Sequence, residues 1–98
     1  MMATKQATRP KSVIVTFSLP AEVEAETVAL CGDFNDWAPD NIQLKRDADG
    51  RWATDVDLEV GRTYRYRFLL DGDRWENDWT ALAYEPNKDG GDDSVVVV

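Results

Sequence analysis

Four tryptophans, Trp37, Trp52, Trp75 and Trp79, are the residues of this 98-residue chain whose placement asks most for a chemical reason. Trp52 falls in phase with Val56 and Leu58 on an alternating stretch, which predicts a core position. Trp37 instead sits among the turn formers of Gly32-Asp33-Phe34-Asn35-Asp36-Trp37-Ala38-Pro39, and Trp75 follows the turn Asp71-Gly72-Asp73 between Arg74 and Glu76. A large apolar ring at a polar loop needs a purpose. Trp79 fits either class, and packing is the expectation for it. Loop indoles suit sugars: the axial hydrogens of a pyranose form an apolar face that lies flat on the ring, at low entropic cost to the protein. The equatorial hydroxyls then need fixed polar partners at the ring edge. Arg67 is a candidate donor, because its neighbours Tyr66 and Phe68 are expected to point inward and it outward; a solvated surface arginine fits the same pattern.

Other chemistries find less support. Asp47-Ala48-Asp49-Gly50 starts like a calcium loop but lacks the later ligands and the terminal Glu, so a hairpin turn is the reading. Glycoside hydrolysis needs two carboxylates about a scissile bond, one with a raised pKa; none of the 19 acidic residues lies in an apolar stretch that signals such tuning. Gly90-Gly91 beside Asp92-Asp93 would repel a phosphate. The chain has no His, and its one cysteine, Cys31, has no base to activate it and reads as a packed thiol. No metal-ligand spacing is present. No cofactor and no enzymatic activity are expected.

The elements that must carry these residues are strands. Residues 1–11 read as a flexible N-terminal arm, and 12–98 as one domain. From Ser12, Val13, Val15 and Phe17 alternate with Ile14, Thr16 and Ser18 until Pro20. Further strands are expected over about 27–32, 41–46, 51–58 and 63–70, with a closing β-branched run over 94–98. In the 63–70 strand Tyr64, Tyr66, Phe68 and Leu70 share one face and Arg65 and Arg67 the other. Residues 74–84 look irregular. Six or seven short strands, turn signals every 8–12 residues and no helical pattern predict an antiparallel β-sandwich.

Composition narrows the partners. Lys and Arg total 11 against 19 Asp and Glu, for a net charge of -8. Such a chain is repelled by nucleic acid and by anionic membranes. Hydrophobic residues at 43% are enough for one small core. A single cysteine fits a reducing compartment, and no apolar stretch forms a signal peptide or a membrane span, so a cytoplasmic location is expected.

Three motifs in order then resemble a known family. Val28-Ala29-Leu30-Cys31-Gly32-Asp33-Phe34-Asn35-Asp36-Trp37 is similar to its "V-x-L-x-G-x-F-N-x-W" signature. Tyr64 to Gly72 is similar to its "Y-x-Y-[KR]-F-x-[VL]-D-G". Trp75-Glu76-Asn77-Asp78 resembles its "W-x-x-D", and Ser94 to Val98 resembles its closing strand. The family is carbohydrate-binding module 48, the isoamylase N-terminal "early set" domains, which include the glycogen-binding domains of AMP-activated protein kinase β subunits. The resemblance spans about 12–98.

It implies an immunoglobulin-like early-set sandwich of about seven strands. It also implies non-catalytic binding of α-1,4-glucans such as glycogen, starch or maltooligosaccharides. Trp37 and Trp75 would stack on glucose rings, and Arg67 would hydrogen-bond hydroxyls. Asp93 occupies the position of an Asn that contacts sugar in the kinase-type domains; an ionised Asp accepts but cannot donate. The loop leucine of those domains is replaced by Asp89-Gly90-Gly91-Asp92. The alternative is an interaction module of the same fold that partners an α-glucan enzyme or a kinase. Amylase-type chemistry belongs to a separate barrel, which 98 residues cannot supply.

Overall fold

Period-two patterning becomes two packed sheets. The structure, a computed structural model, describes residues 11–98. The expected arm therefore lies outside the described residues, except Lys11, whose carbonyl accepts a 2.8 Å hydrogen bond from Val60 N–H. The strands are β1 (Ser12–Leu19), β2 (Val28–Gly32), β3 (Ile42–Gln43), β4 (Lys45–Arg46), β5 (Trp52–Glu59), β6 (Thr63–Leu70), β7 (Arg74–Glu76), β8 (Ala83–Pro86) and β9 (Asp92–Val97). One sheet has the order β1-β5-β4; the other runs β3-β2-β6-β9-β8, with β7 also paired to β6. Every pairing is antiparallel. This is an all-β sandwich of the immunoglobulin-like kind, and no α-helix occurs among the described residues. No helix there is long and apolar enough to cross a membrane.

The core fills with the inward half of each alternating strand. Phe17 and Leu19 of β1, Val28 and Leu30 of β2, Trp52 and Leu58 of β5, and Tyr64, Tyr66, Phe68 and Leu70 of β6 form one buried cluster. Trp52 is thus a core residue, as its phase predicts. Phe17 meets Tyr66 edge-on with ring centroids 4.9 Å apart, a favourable aromatic geometry.

Two departures from the expected strands have local causes. The single strand expected over 41–46 is divided at Leu44. β3 pairs with β2 in one sheet and β4 with β5 in the other, while Leu44 is buried between them and donates its N–H to Val28 O at 2.8 Å. The stretch read as irregular holds β7 and β8. They are short, polar edge strands whose pairing comes from β6 and β9 rather than from any pattern of their own.

The tight turn after β6 needs left-handed backbone at both Asp71 (φ 55°) and Gly72 (φ 76°), as hairpin turns do. Asp71 adds a second function there. Its Oδ1 accepts N–H bonds from Glu26 (2.7 Å) and Thr27 (3.0 Å), and Arg74 reaches its Oδ2 at 3.1 Å. The backbone donors of Thr27 and Glu26, with Arg74 behind them, hold its carboxyl below the usual range.

A candidate carbohydrate-binding cleft

The outer face of the larger sheet carries the residues that sequence reasoning singles out. In β6 the residues opposite in phase to the core set are Arg65, Arg67 and Leu69. The β2–β6 register sets Cys31 against Arg67 and Ala29 against Leu69, and the β6–β7 register sets Leu69 against Trp75. Ala29, Cys31 and Leu69 form a small buried cluster on this side, and Trp37 packs onto it. Trp75 is not in a loop as expected but on β7, whose pairing to β6 turns its indole to the same outer face, 46% exposed.

Each residue of the Gly32–Trp37 stretch contributes to placing Trp37. Gly32 is there for space: a Cβ would lie 2.6 Å from Arg65 O and 2.8 Å from the Phe34 ring. Asp33 uses Oδ2 to accept Arg65 N–H (2.8 Å) and Oδ1 to accept the Trp37 indole N–H (3.1 Å). Phe34 turns inward toward Phe17 and Tyr64. Asn35 accepts Gly32 N–H and donates to Leu30 O, both at 3.0 Å, closing the 3-10 turn Asp33–Asn35. Asp36 and Trp37 then take left-handed backbone, φ 56° and 60°, which redirects the chain and lays the indole over the sheet.

Trp37 and Trp75 face one another across a corner, with ring centroids 6.4 Å apart and planes at 65°. Arg67 lies in that corner, its guanidinium carbon 4.7 Å from the Trp75 ring centre and 5.7 Å from that of Trp37, within cation–π range. The Arg67 side chain is 19% exposed, and Nε stands 3.1 Å from Asp93 Oδ1. That N–H is not aligned to donate, so the pair is coulombic, and Nε is a buried donor without a hydrogen-bond partner among the described residues.

The opposite wall comes from the β8–β9 hairpin. A cleft of about 460 Å³ opens between the two indoles, Arg65 and Arg67 on one side and Asn87, Lys88, Asp89 and Asp93 on the other. Asn87 shapes this wall. Its side-chain oxygen accepts N–H bonds from Asp89 (2.9 Å) and Gly91 (3.1 Å), and its amide nitrogen donates to Asp93 Oδ1 (3.1 Å).

Asp93 differs from its expected position. It lies inside β9, and the residue is only 5% exposed. Arg67 and Asn87 crowd Oδ1 while Arg65 Nη1 is 3.4 Å from Oδ2. Arg65 also grips Glu85 at 2.6 Å, tying β6 to β8.

Sequence reasoning passed over Arg65 and Asn87. The alternation that singles out Arg67 marks Arg65 equally, so that signal was present; nothing local announces that Asn87 reaches Asp93. Trp79 is a correction. It is 53% exposed rather than packed, with its indole N–H donated to Glu76 Oε2 at 2.8 Å. Cys31 is fully buried beneath Trp37, and burial raises its thiol pKa against the lowering influence of Arg67, so it stays a thiol. No cluster of three metal-ligating side chains occurs among the described residues.

The fold is an immunoglobulin-like β-sandwich that carries an aromatic-lined cleft on one outer sheet face. Residues 4–88 match the family model of Carbohydrate-binding module 48 (Isoamylase N-terminal domain), and the chain belongs to that family. A search of curated proteins returned no match.

Proposed function

We propose that the protein binds α-1,4-linked glucans, non-catalytically, in the Trp37–Arg67–Trp75 cleft. The observation that carries this reading is the Arg67 guanidinium. It lies beside Asp93, is flanked by two indoles, and its Nη groups make no hydrogen bond to the described residues. Donors held in place without acceptors are suited to ligand hydroxyls.

The 65° angle between the rings bears on the ligand's shape. A flat, ribbon-like sugar chain stacks on coplanar rings, whereas a chain that turns from one unit to the next meets rings set at an angle. α-1,4 linkage produces that curvature. In this reading Trp37 and Trp75 each take a pyranose face, and Arg67 donates to hydroxyls between them. Asp93 orients Arg67 and does not itself contact sugar, because its oxygens are already engaged. Few contacts on an open surface correspond to dissociation constants on the order of micromolar to millimolar. The cytoplasm, where the lone Cys31 thiol stays reduced, is the proposed setting.

Retention on amylose resin tests the proposal. Wild type should be retarded and eluted by maltose, and Arg67→Ala should elute markedly earlier. Equal retention of the two proteins would remove Arg67 from the site. Passage of both, with a protein partner co-purifying instead, would favour an interaction module.

A further inference from the structure

We infer that a second pyranose-stacking surface lies at the β7–β8 edge, with Trp79 as its platform. The inference rests on the proposed ligand class but on different residues. Alternation along β7 sends Trp75 to the outer face and Glu76, opposite Phe68, to the inner side, so the carboxylate that holds the Trp79 indole points away from the Trp75 face. The loop after β7 carries Trp79 and Leu82, and β8 begins with Ala83 and Tyr84; Trp79, Leu82 and Tyr84 are all exposed.

The loop is fixed in place. Asp78 N–H donates to the buried Ser94 Oγ at 2.9 Å, and Ser94 in turn donates to Asn77 Oδ1 at 2.7 Å. The Asp78 carboxylate accepts the Tyr66 hydroxyl (2.7 Å), Thr80 N–H (2.9 Å) and the Thr80 hydroxyl (3.1 Å), and its carbonyl accepts the Tyr84 hydroxyl. The loop is thus tied to the sheet while Trp79 stays 53% exposed.

Two features favour a neutral sugar over a protein or an anion. First, Trp79 repeats the arrangement of Trp37: each indole N–H is donated to a carboxylate three or four residues earlier, Glu76 and Asp33 respectively. The ring is held at its polar edge while the residue stays 53% exposed, which lowers the ordering cost of stacking. Second, the charged groups beside Trp79, Glu76 and Asp78, are acidic. Glu76 Oε1 accepts no hydrogen bond from the described residues and is left for a hydroxyl donor, and both carboxylates repel phosphates and other anions.

Indole N–H resonances distinguish the two surfaces. With the four signals assigned by single substitution, maltoheptaose titrated into ¹⁵N-labelled protein should shift the Trp79 signal saturably. The shift should persist in the Trp37→Ala/Trp75→Ala double variant, where the cleft is lost. Trp79→Ala should keep the wild-type fold by circular dichroism and bind glycogen about two- to tenfold more weakly. A stationary Trp79 signal while Trp37 and Trp75 respond would overturn this inference and leave the cleft standing. A Trp79 signal that moves with protein concentration and not with sugar would also overturn it, in favour of self-association. If no indole responds in wild type, both readings fail together.

Discussion

Trp37 holds a backbone conformation that few side chains of its size adopt. At φ 60°, following Asp36 at φ 56°, it sits where a non-glycine residue costs about 1–3 kcal/mol. Four ties hold it there: Asn35 closing the turn, Asp33 on the indole N–H, its own N–H on Gly32 O at 3.0 Å, and the Ala29–Cys31–Leu69 floor. These ties fix the direction of a partly exposed indole despite its strained backbone. Trp37→Ala and Trp75→Ala should each lower affinity for maltoheptaose by about tenfold by calorimetry, with far-ultraviolet dichroism unchanged. Asp93→Asn keeps the shape and removes the charge between Arg65 and Arg67. It should weaken glucan binding through a misplaced Arg67 and lower stability as well, whereas a direct sugar contact would lower affinity alone. Denaturant titration beside calorimetry separates the two.

At the scale of elements, the cleft depends on how β6 is tied to its neighbours. Gly32 permits the approach of β2 to β6, and Gly32→Ala should cost about 1–3 kcal/mol in chemical denaturation, because a Cβ meets backbone at 2.6 Å. The β6–β7 turn is tied to the 26–27 loop through ionised Asp71. Its folded pKa lies below the ordinary 3.8, so its contribution is complete above that value and is lost as pH falls through the lowered one. Asp71→Asn should therefore flatten the acid limb of the stability profile below about pH 4. Tyr66 has the opposite sense. Burial first, then its bond to Asp78, raises its pKa above the ordinary 10.0, so stability is lost as pH rises beyond 10; Tyr66→Phe should remove that alkaline component. Strands with a buried face, β1, β5 and β6, were legible because burial imposes alternation on them. The division at Leu44 and the edge strands β7 and β8 were not, since each depends on a partner remote in the chain.

For the whole molecule, an acidic surface of net charge -8 surrounds a cleft that brings Arg65, Arg67 and Lys88 together. A neutral ligand feels little of either field. Maltoheptaose affinity should change less than about twofold between roughly 0.05 and 0.5 M salt, a range over which screening removes most long-range attraction to a charged ligand. The aromatic and basic residues of the cleft could be read from the chain because their phase and turn contexts are local. The neutral-looking loop residue Asn87 and the buried state of Asp93 could not, because their partners, Gly91, Arg65 and Arg67, are set by how the β8–β9 hairpin folds against β6. Trp79 was misassigned for a related reason: its carboxylate anchor Glu76 faces the inner side of the sheet, which only the β6–β7 register determines.

Two indoles at an angle, with an arginine between them, would read the curvature of a glucan. Parallel titrations of maltoheptaose and cellohexaose, followed by calorimetry, test it most directly. Binding of maltoheptaose should be saturable and about tenfold weaker in Trp37→Ala and in Trp75→Ala, with no measurable binding of cellohexaose. Equal affinity for the two sugars, or maltoheptaose binding indifferent to both substitutions, would contradict it.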